Sequence, residues 1–325
     1  MLLIIIAFIS LIGLMALHEF GHFILAKKFG VKVEEFGIGY PPRLFGKKIG
    51  ETIYSLNLLP FGAFVKIPGE IKKTAEANSF SNQPIVKRML IVAGGVISFW
   101  IVAAVLFSIV FMMGARISVD DKAENLIDPK IQVAMLTPGS PAKIAGVQLG
   151  DTIQKLSVNG QTINIENISQ VQNFSNDYRG KQILLIVERG EEILNINLIP
   201  RVSPPSGEGP LGVALVRTAL KSYPVHEAIF QGVKTTGETT IAVIQGWYFA
   251  IQKAIAKQPT GAELVGPVGI FQMMTQFGKL GTSYFLQFIA MLAVYLALFN
   301  ILPIPATDGG KLIFLSIEAI RKKPL

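Results

Sequence analysis

The residues able to do chemistry are few, and two of them fall at a telling spacing. The 325-residue chain has no cysteine and three histidines, His18, His22 and His226. The first two sit in His18-Glu19-Phe20-Gly21-His22, which reads H-E-x-x-H. On an α-helix, positions i and i+4 are separated by about 400°, so both imidazoles lie about 40° apart on one face and can grip one ion, with Glu19 projecting beside them. That arrangement suits hydrolysis: zinc lowers the pKa of a bound water to about 7 and polarises a carbonyl, and the carboxylate takes the water's proton. A chance match is the rival account. It requires three ionisable groups inside an apolar helix, each costing about 2.5 to 3.5 kcal/mol on insertion scales, which makes it the poorer one.

The lack of cysteine excludes a disulfide framework, a thiolate nucleophile, an iron–sulfur cluster and a Cys-ligated metal. A catalytic zinc takes three protein ligands and keeps one position open, so with His226 assigned to a surface role the third ligand must be a carboxylate. Asp308 is the acidic residue that closely follows an apolar span, in Asn300-Ile301-Leu302-Pro303-Ile304-Pro305-Ala306-Thr307-Asp308-Gly309-Gly310. Its alternative role is the N-cap of a helix over 311–320. Asn300, at the end of the apolar run, can bond a substrate backbone or a developing oxyanion, or only another helix. Both readings stand.

These residues need elements to hold them. Half the residues are hydrophobic, 16% are charged against a globular norm of about 25%, and mean hydropathy is +0.48; this is the composition of a membrane protein. Residues 2–26 would reach about 37 Å as a helix, enough to cross a hydrocarbon core of about 30 Å. They read as a span rather than a cleaved signal, because the first basic residue is Lys27 and no A-x-A-like site follows. Residues 89–114 carry no charge and form a second span, and 282–303 a third, ending at Pro303 and Pro305. Residues 27–88 hold eleven Lys/Arg against five Asp/Glu, whereas 116–221 hold eleven of each. The positive-inside rule therefore places the first loop in the cytoplasm and the second outside. The C-terminal Arg321-Lys322-Lys323 falls inside by the same rule. Both outward-to-inward spans then carry their motifs late, near the cytoplasmic face. Basic residues facing anionic lipid account for the net charge of +8 without any nucleic acid.

Residues 120–202 read as a folded α+β domain. Apolar runs are separated by turn signals such as Asn159-Gly160 and Arg189-Gly190, and Ser140-Pro141 with Gly146 frames a short helix. Residues 203–223, rich in Pro, Gly and Ser at the start, read as a linker, and 224–258 as an amphipathic helix at the membrane surface or a poor fourth span.

Together these segments resemble the site-2 protease family of intramembrane zinc metalloproteases, of the regulator of sigma-E protease type with a single PDZ domain. The resemblance rests on HEFGH in the first span and NILPIPATDGG near the end, with other segments between. Phe36-Gly37-Ile38-Gly39 matches a glycine-bearing segment, 59–66 a membrane-reentrant β-hairpin (about 52–67), and Gly266-Pro267-Val268-Gly269-Ile270 a motif before the last span. Pro138-Gly139-Ser140-Pro141-Ala142, Ala145-Gly146 and Gly150-Asp151 resemble a PDZ signature. The family implies an α-helical polytopic protein of about three spans with an inserted PDZ-like domain, comprising membrane parts 1–119 and 224–325. It implies Zn2+ held by His18, His22 and Asp308, Glu19 as general base and Asn300 as a substrate-positioning residue. It also implies a bacterial plasma-membrane protein cleaving transmembrane protein substrates, with peptide termini bound at the external PDZ-like domain. Three departures stand out: Thr307 replaces a usual leucine, Gly95-Val96-Ile97-Ser98 replaces a usual Gly-Pro pair followed by Asn, and the chain ends at Leu325 before a usual further span. A zinc-binding adaptor without activity is the alternative these departures leave. A channel or carrier would call for internal repeats, and none is seen.

The charge asymmetry makes a direct prediction. Cysteines placed singly at Lys47 and at Asn159 react with an impermeant maleimide from opposite sides of the membrane; reaction from one side for both overturns the topology.

Overall fold

The computed structural model describes residues 2–72, 74–258 and 265–321, so Lys322, Lys323 and Leu325 lie outside the described residues. The chain divides into two compact units, one built from 1–109, 227–275 and 286–325, the other from 110–226 and 276–285.

The first unit begins with α1 (Leu2–Lys28), two residues longer than the expected span. Its buried residues include Ala7, Leu14, His18, His22 and Ala26, which follow one another at steps of seven or four and so form a single stripe. The other faces expose Ile4, Ile5, Ile9, Leu17 and Ile24, as a helix surrounded by lipid does. The histidines thus lie on the protein-facing stripe, where polar groups in a membrane find partners.

A curled pair of long strands follows, β1 (Glu35–Ile49) and β2 (Thr52–Lys66), joined by a tight turn in which Gly50 has φ +61°. The hairpin is wider than the expected 52–67. Its first strand absorbs the segment 36–39, because residues Glu35 to Ile38 are flanked on both sides, by Ile53 to Leu56 and by Lys66 to Ala63. Ala63 to Lys66 therefore forms an outer edge of this small sheet. The distal part exposes Leu44, Phe45, Ile49, Leu58, Leu59 and Phe61. Next, α2 (Ile85–Met113) starts four residues before the expected span, taking Lys87 and Arg88 into its first turn.

The second unit is a curled sheet of seven strands. It contains β3 (Ala115–Ser118), β4 (Lys130–Leu136), the short α3 (Pro141–Ile144), β5 (Thr152–Val158), β6 (Gln161–Asn164), α4 (Ile168–Asp177), β7 (Ile183–Arg189), β8 (Glu192–Leu198) and β9 (Val213–Lys221). The strand order is β3-β9-β4-β5-β7-β8, with β6 paired to β5. As the sequence predicts, Ser140 caps α3 by accepting from the Lys143 N–H, with Pro141 at the first position. The core gathers Ile131, Val133, Ile153, Leu156, Leu185 and Val187. At its edge the fully buried Asp151 takes two 2.7 Å bonds from Arg189 and one of 2.8 Å from the Gln148 N–H.

The unit is larger than the expected 120–202. The segment read as linker, 203–223, contains β9, which lies between β3 and β4 in the sheet. The glycines and prolines of 203–210 do form an irregular loop, but Val213-Ala214-Leu215-Val216 then supplies a strand that the sheet cannot close without. Residues 276–285 also belong to this unit. Gln132 Nε2 donates to the Tyr284 hydroxyl at 2.7 Å, and Leu280 packs where a side chain on Gly150 would stand.

The remaining helices are α5 (Val225–Ile255), α6 (Pro267–Leu280), α7 (Thr282–Ile301) and α8 (Asp308–Arg321). Among the described residues three helices are long and apolar enough to cross a membrane, α1, α2 and α7. α5 is not one of them, although it exposes Phe230, Val233, Ile241, Tyr248 and Phe249. Gly266-Pro267 opens α6 with proline at its first position, and Gly281 at φ +126° separates α6 from α7.

Candidate metal centre

Three buried side chains from two distant parts of the chain converge on one point. His18 and His22 on α1 and Asp308 at the start of α8 each offer a ligand atom, and these atoms lie within 4.8 Å of one another. Asp308 Oδ2 is 3.5 Å from His18 Nε2 and 3.2 Å from His22 Nε2, and the three residues are 5 to 7% exposed. His22 Nδ1 faces the Ile91 carbonyl at 2.9 Å. A carbonyl only accepts, so Nδ1 carries the proton and Nε2 presents a lone pair to Asp308 Oδ2. Two acceptors this close are relieved by a cation or a proton between them, and Asp308 Oδ2 and His18 Nδ1 have no hydrogen-bond partner of their own. A neutral imidazole pair with a carboxylate is a zinc donor set. The residues fit the metal.

The local backbone explains how Asp308 arrives there. α7 stops at Ile301, and Thr307 Oγ1 donates to the carbonyls of Leu302 and Ile304 at 2.8 and 2.9 Å, folding the Pro303–Pro305 turn back on itself. Thr307, which stands where the family usually has leucine, thus bonds this turn rather than Asp308. The carbonyls of Ile301, Leu302 and Ile304 press on the first turn of α8, so a side chain on Gly309 or Gly310 would meet them inside 3.0 Å. Asp308 itself stands within the helix, which begins there rather than at 311, and its carboxylate faces the histidines.

Gly95-Val96-Ile97-Ser98 departs from the family's usual Gly-Pro pair followed by Asn. The structure packs α2 directly on the histidines. Besides the Ile91 carbonyl, Phe99 stacks on His18 with ring centroids 4.7 Å apart, and Ser98 donates to its own helix at the Gly95 carbonyl. Gly21 and Gly94 meet backbone to backbone, and a Cβ on Gly95 would fall closer than 3.0 Å to both imidazoles. Gly21 inside HEFGH and the Gly94-Gly95 pair were the visible signals, since small residues mark close helix crossings in membranes.

Glu19 is half-buried, and its Oε2 accepts the Val65 N–H at 3.1 Å. A backbone amide of the outer strand of β2 thus fixes the carboxylate beside the imidazoles. Asn300 is not in this group. Its amide donates to the Leu296 carbonyl of its own helix at 2.9 Å. Beyond Asp308, Lys311 reaches Glu70 at 2.7 Å, and Arg88 of α2 holds Glu318 with two bonds of 2.7 and 3.1 Å. Burial works to lower the Lys311 ammonium's pKa, but Glu70 and Asp308 outweigh it and hold it above the ordinary lysine value.

A model of peptidase family M50 matches residues 6–325. A protein of Clostridium perfringens named as a zinc metalloprotease is 32% identical over 330 aligned positions, covering 99% of this chain and 90% of the relative. One of Rickettsia conorii with the same kind of name is 31% identical, with 99% and 90% covered. The regulator of sigma-W protease of Bacillus subtilis is 26% identical over 404 aligned positions, covering 99% of this chain and 91% of that protein.

The glycine contact can be tested without touching a ligand. Gly95→Val is expected to lower zinc content per chain about as far as His22→Ala does, as measured by metal analysis of folded, detergent-purified protein, whereas Gly13→Val, with open space around it, leaves it unchanged. Full zinc content in Gly95→Val would mean that α2 does not set the imidazole positions.

Proposed function

This chain belongs to peptidase family M50, the site-2 protease family, and we propose that His18, His22, Asp308 and Glu19 make up the active site of its zinc endopeptidase activity. It is an intramembrane zinc metalloprotease that hydrolyses peptide bonds in transmembrane segments of membrane proteins. The observation that carries the site assignment is the convergence of three buried ligand atoms from the first and last apolar parts of the chain.

Held by His18, His22 and Asp308, zinc would polarise the scissile carbonyl and acidify a water. Glu19 takes a proton from the attacking water as its oxygen bonds to the carbonyl carbon. The same carboxyl then gives that proton to the amide nitrogen as the C–N bond breaks, leaving a new carboxyl and a new amine. The Val65 N–H keeps one carboxylate oxygen fixed, so Glu19 enters the reaction already oriented.

A helical substrate hides its carbonyls in i to i−4 bonds and must unwind to be cut. The Ala63–Lys66 edge of β2 is well placed to take the unwound chain as an added strand, since Val65 on that edge already touches Glu19. Asn300 is assigned a positioning role toward the substrate backbone on the strength of the family motif. The charge asymmetry supports a bacterial plasma-membrane protein with the sheet domain outside and the metal site near the cytoplasmic face.

The sheet domain is read as PDZ-like. A cleft of about 500 Å³ runs between α4 and the start of β9, closed at one end by the glycine-rich loop 207–212. In β9, residues Val213 to Val216 pair with β4 on one side, and the cleft lies along them. An extended peptide can add to that strand while its terminal carboxylate meets backbone N–H groups of the loop. The domain would then bind the end of a trimmed substrate or exclude one whose outer part is intact.

Two experiments test this reading. Purified protein with zinc is expected to cut a reporter transmembrane segment, and Glu19→Gln to keep the zinc while losing cleavage by at least about 100-fold, the usual size of a general-base effect; residual full activity in that variant removes Glu19 from the mechanism. Separately, a peptide with an apolar C-terminal residue should bind the protein, with affinity falling about tenfold or more on C-terminal amidation and again in Gln172→Trp, which fills the exposed side of the cleft. Equal binding of the amidated peptide sinks the carboxylate reading of the loop.

A further inference from the structure

The metal ligand Asp308 has a neighbour whose role the hydrolytic scheme leaves unassigned. Lys311 stands one turn along α8, its Nζ 3.8 Å from Asp308 Oδ1. The other carboxylate oxygen, Oδ2, is the one that faces both imidazoles. The ammonium is itself held from the far side by Glu70, at 2.7 Å. Glu70 is presented by a built turn rather than a loose loop: Gly69 has φ +84°, and a side chain there would collide with Ser81. The Phe80 N–H donates to the Pro68 carbonyl at 2.8 Å, closing that turn. Glu70 lies four residues beyond the end of β2, the strand whose edge holds Glu19.

We infer that Lys311 is a positioning residue for Asp308, its ammonium drawing Oδ1 to one side so that Oδ2 is presented to the metal, with Glu70 fixing where the ammonium stands. The terminal torsion of an aspartate is broad and soft, and contacts to both oxygens narrow it. The histidines engage one oxygen and Lys311 the other. α8 does not depend on this contact for its place, because Arg88 clamps Glu318, two turns further along the helix, with two bonds. Loss of Lys311 therefore acts on the carboxylate rather than on the helix.

Charge alone would have the opposite effect, and that separates the two. Removing a cation near a dication's site favours metal binding, the more so when Glu70 is left bare. Losing the orientation of a ligand weakens metal binding, by about 10- to 100-fold where partners of metal ligands have been removed. A double variant, Lys311→Met with Glu70→Gln, removes one charge of each sign and leaves only the orientational effect.

The inference rests on the zinc site proposed above, and one set of measurements tells the two apart. Zinc affinity is measured on detergent-purified full chain by competition with a chromogenic chelator, alongside the thermal midpoint of the metal-free protein and kcat and KM on a reporter segment. Lys311→Met/Glu70→Gln is expected to bind zinc about tenfold or more weakly and to lose kcat with KM little changed. Lys311→Arg should stay within about threefold of the parent, and Glu70→Gln alone should keep most of the affinity because the ammonium remains. If the double variant binds zinc as the parent does while His22→Ala does not, Lys311 is only a surface clasp and the inference fails with the zinc site intact. If parent and His22→Ala bind zinc equally poorly, the site assignment falls and takes the inference with it. A drop in metal-free thermal midpoint with unchanged zinc affinity likewise overturns it.

Discussion

Everything in the membrane unit is arranged around two acceptors that face each other. His22 gives its one proton to the Ile91 carbonyl, so its other nitrogen meets Asp308 Oδ2 as lone pair against lone pair at 3.2 Å. Left alone in an apolar surround, that contact is repulsive, and a cation seated between the two turns it attractive. The surrounding structure limits relief by movement of the side chains. α2 supplies the carbonyl that fixes the imidazole, the Thr307 turn fixes the start of α8, and neither oxygen of Asp308 can swing to water while the residue is 5% exposed. Metal binding here would thus complete the fold as well as do chemistry.

Such closeness is possible only because three glycines remove side chains where helices cross. Gly21 and Gly94 let the backbones of α1 and α2 touch, and Gly95 leaves the space that the imidazole edges occupy. Lipid offers no hydrophobic drive for helix association, so contact area and packing have to hold the crossing together. The same logic runs through Gly309 and Gly310, which let α8 begin against the carbonyls of the broken end of α7. In each case the glycine serves a close approach, and the polar cluster exists because the approach is so short.

How far the sequence discloses this depends on whether the signal is local. H-E-x-x-H is legible because two imidazoles and a carboxylate sit within about one helical turn, and the apolar runs are legible because they are long. Asp308 is legible by elimination, with no cysteine and no other carboxylate close after a span. The partnership of α2 is not, because nothing in a single sequence says which face of an apolar helix meets which neighbour. The hold on Glu19 comes from the Val65 backbone, which has no side-chain signature at all. β9 is hidden for another reason: it follows a stretch rich in Pro, Gly and Ser, and a strand that completes a sheet begun nearly a hundred residues earlier gives no local hint of its partners.

That late strand changes what the sheet domain is. A domain ending at 202 with a flexible tether would be a bead that could be cut away. Instead β9 carries the chain back through the middle of the sheet, and Thr218 on it donates to Gln132 at 2.9 Å. Gln132, buried on β4, passes its own amide to the Tyr284 hydroxyl in the first turn of α7. Gly190 makes room for the Lys279 carbonyl and Gly150 for Leu280, so the junction of α6 and α7 is packed into the domain as firmly as one of its own loops. The strand that lines the cleft and the first turn of α7 therefore share one buried polar relay. A buried glutamine whose donor and acceptor are both engaged tolerates little displacement of either partner. Residues 276–285 are accordingly part of the sheet domain's own packing, held by its strands as its loops are.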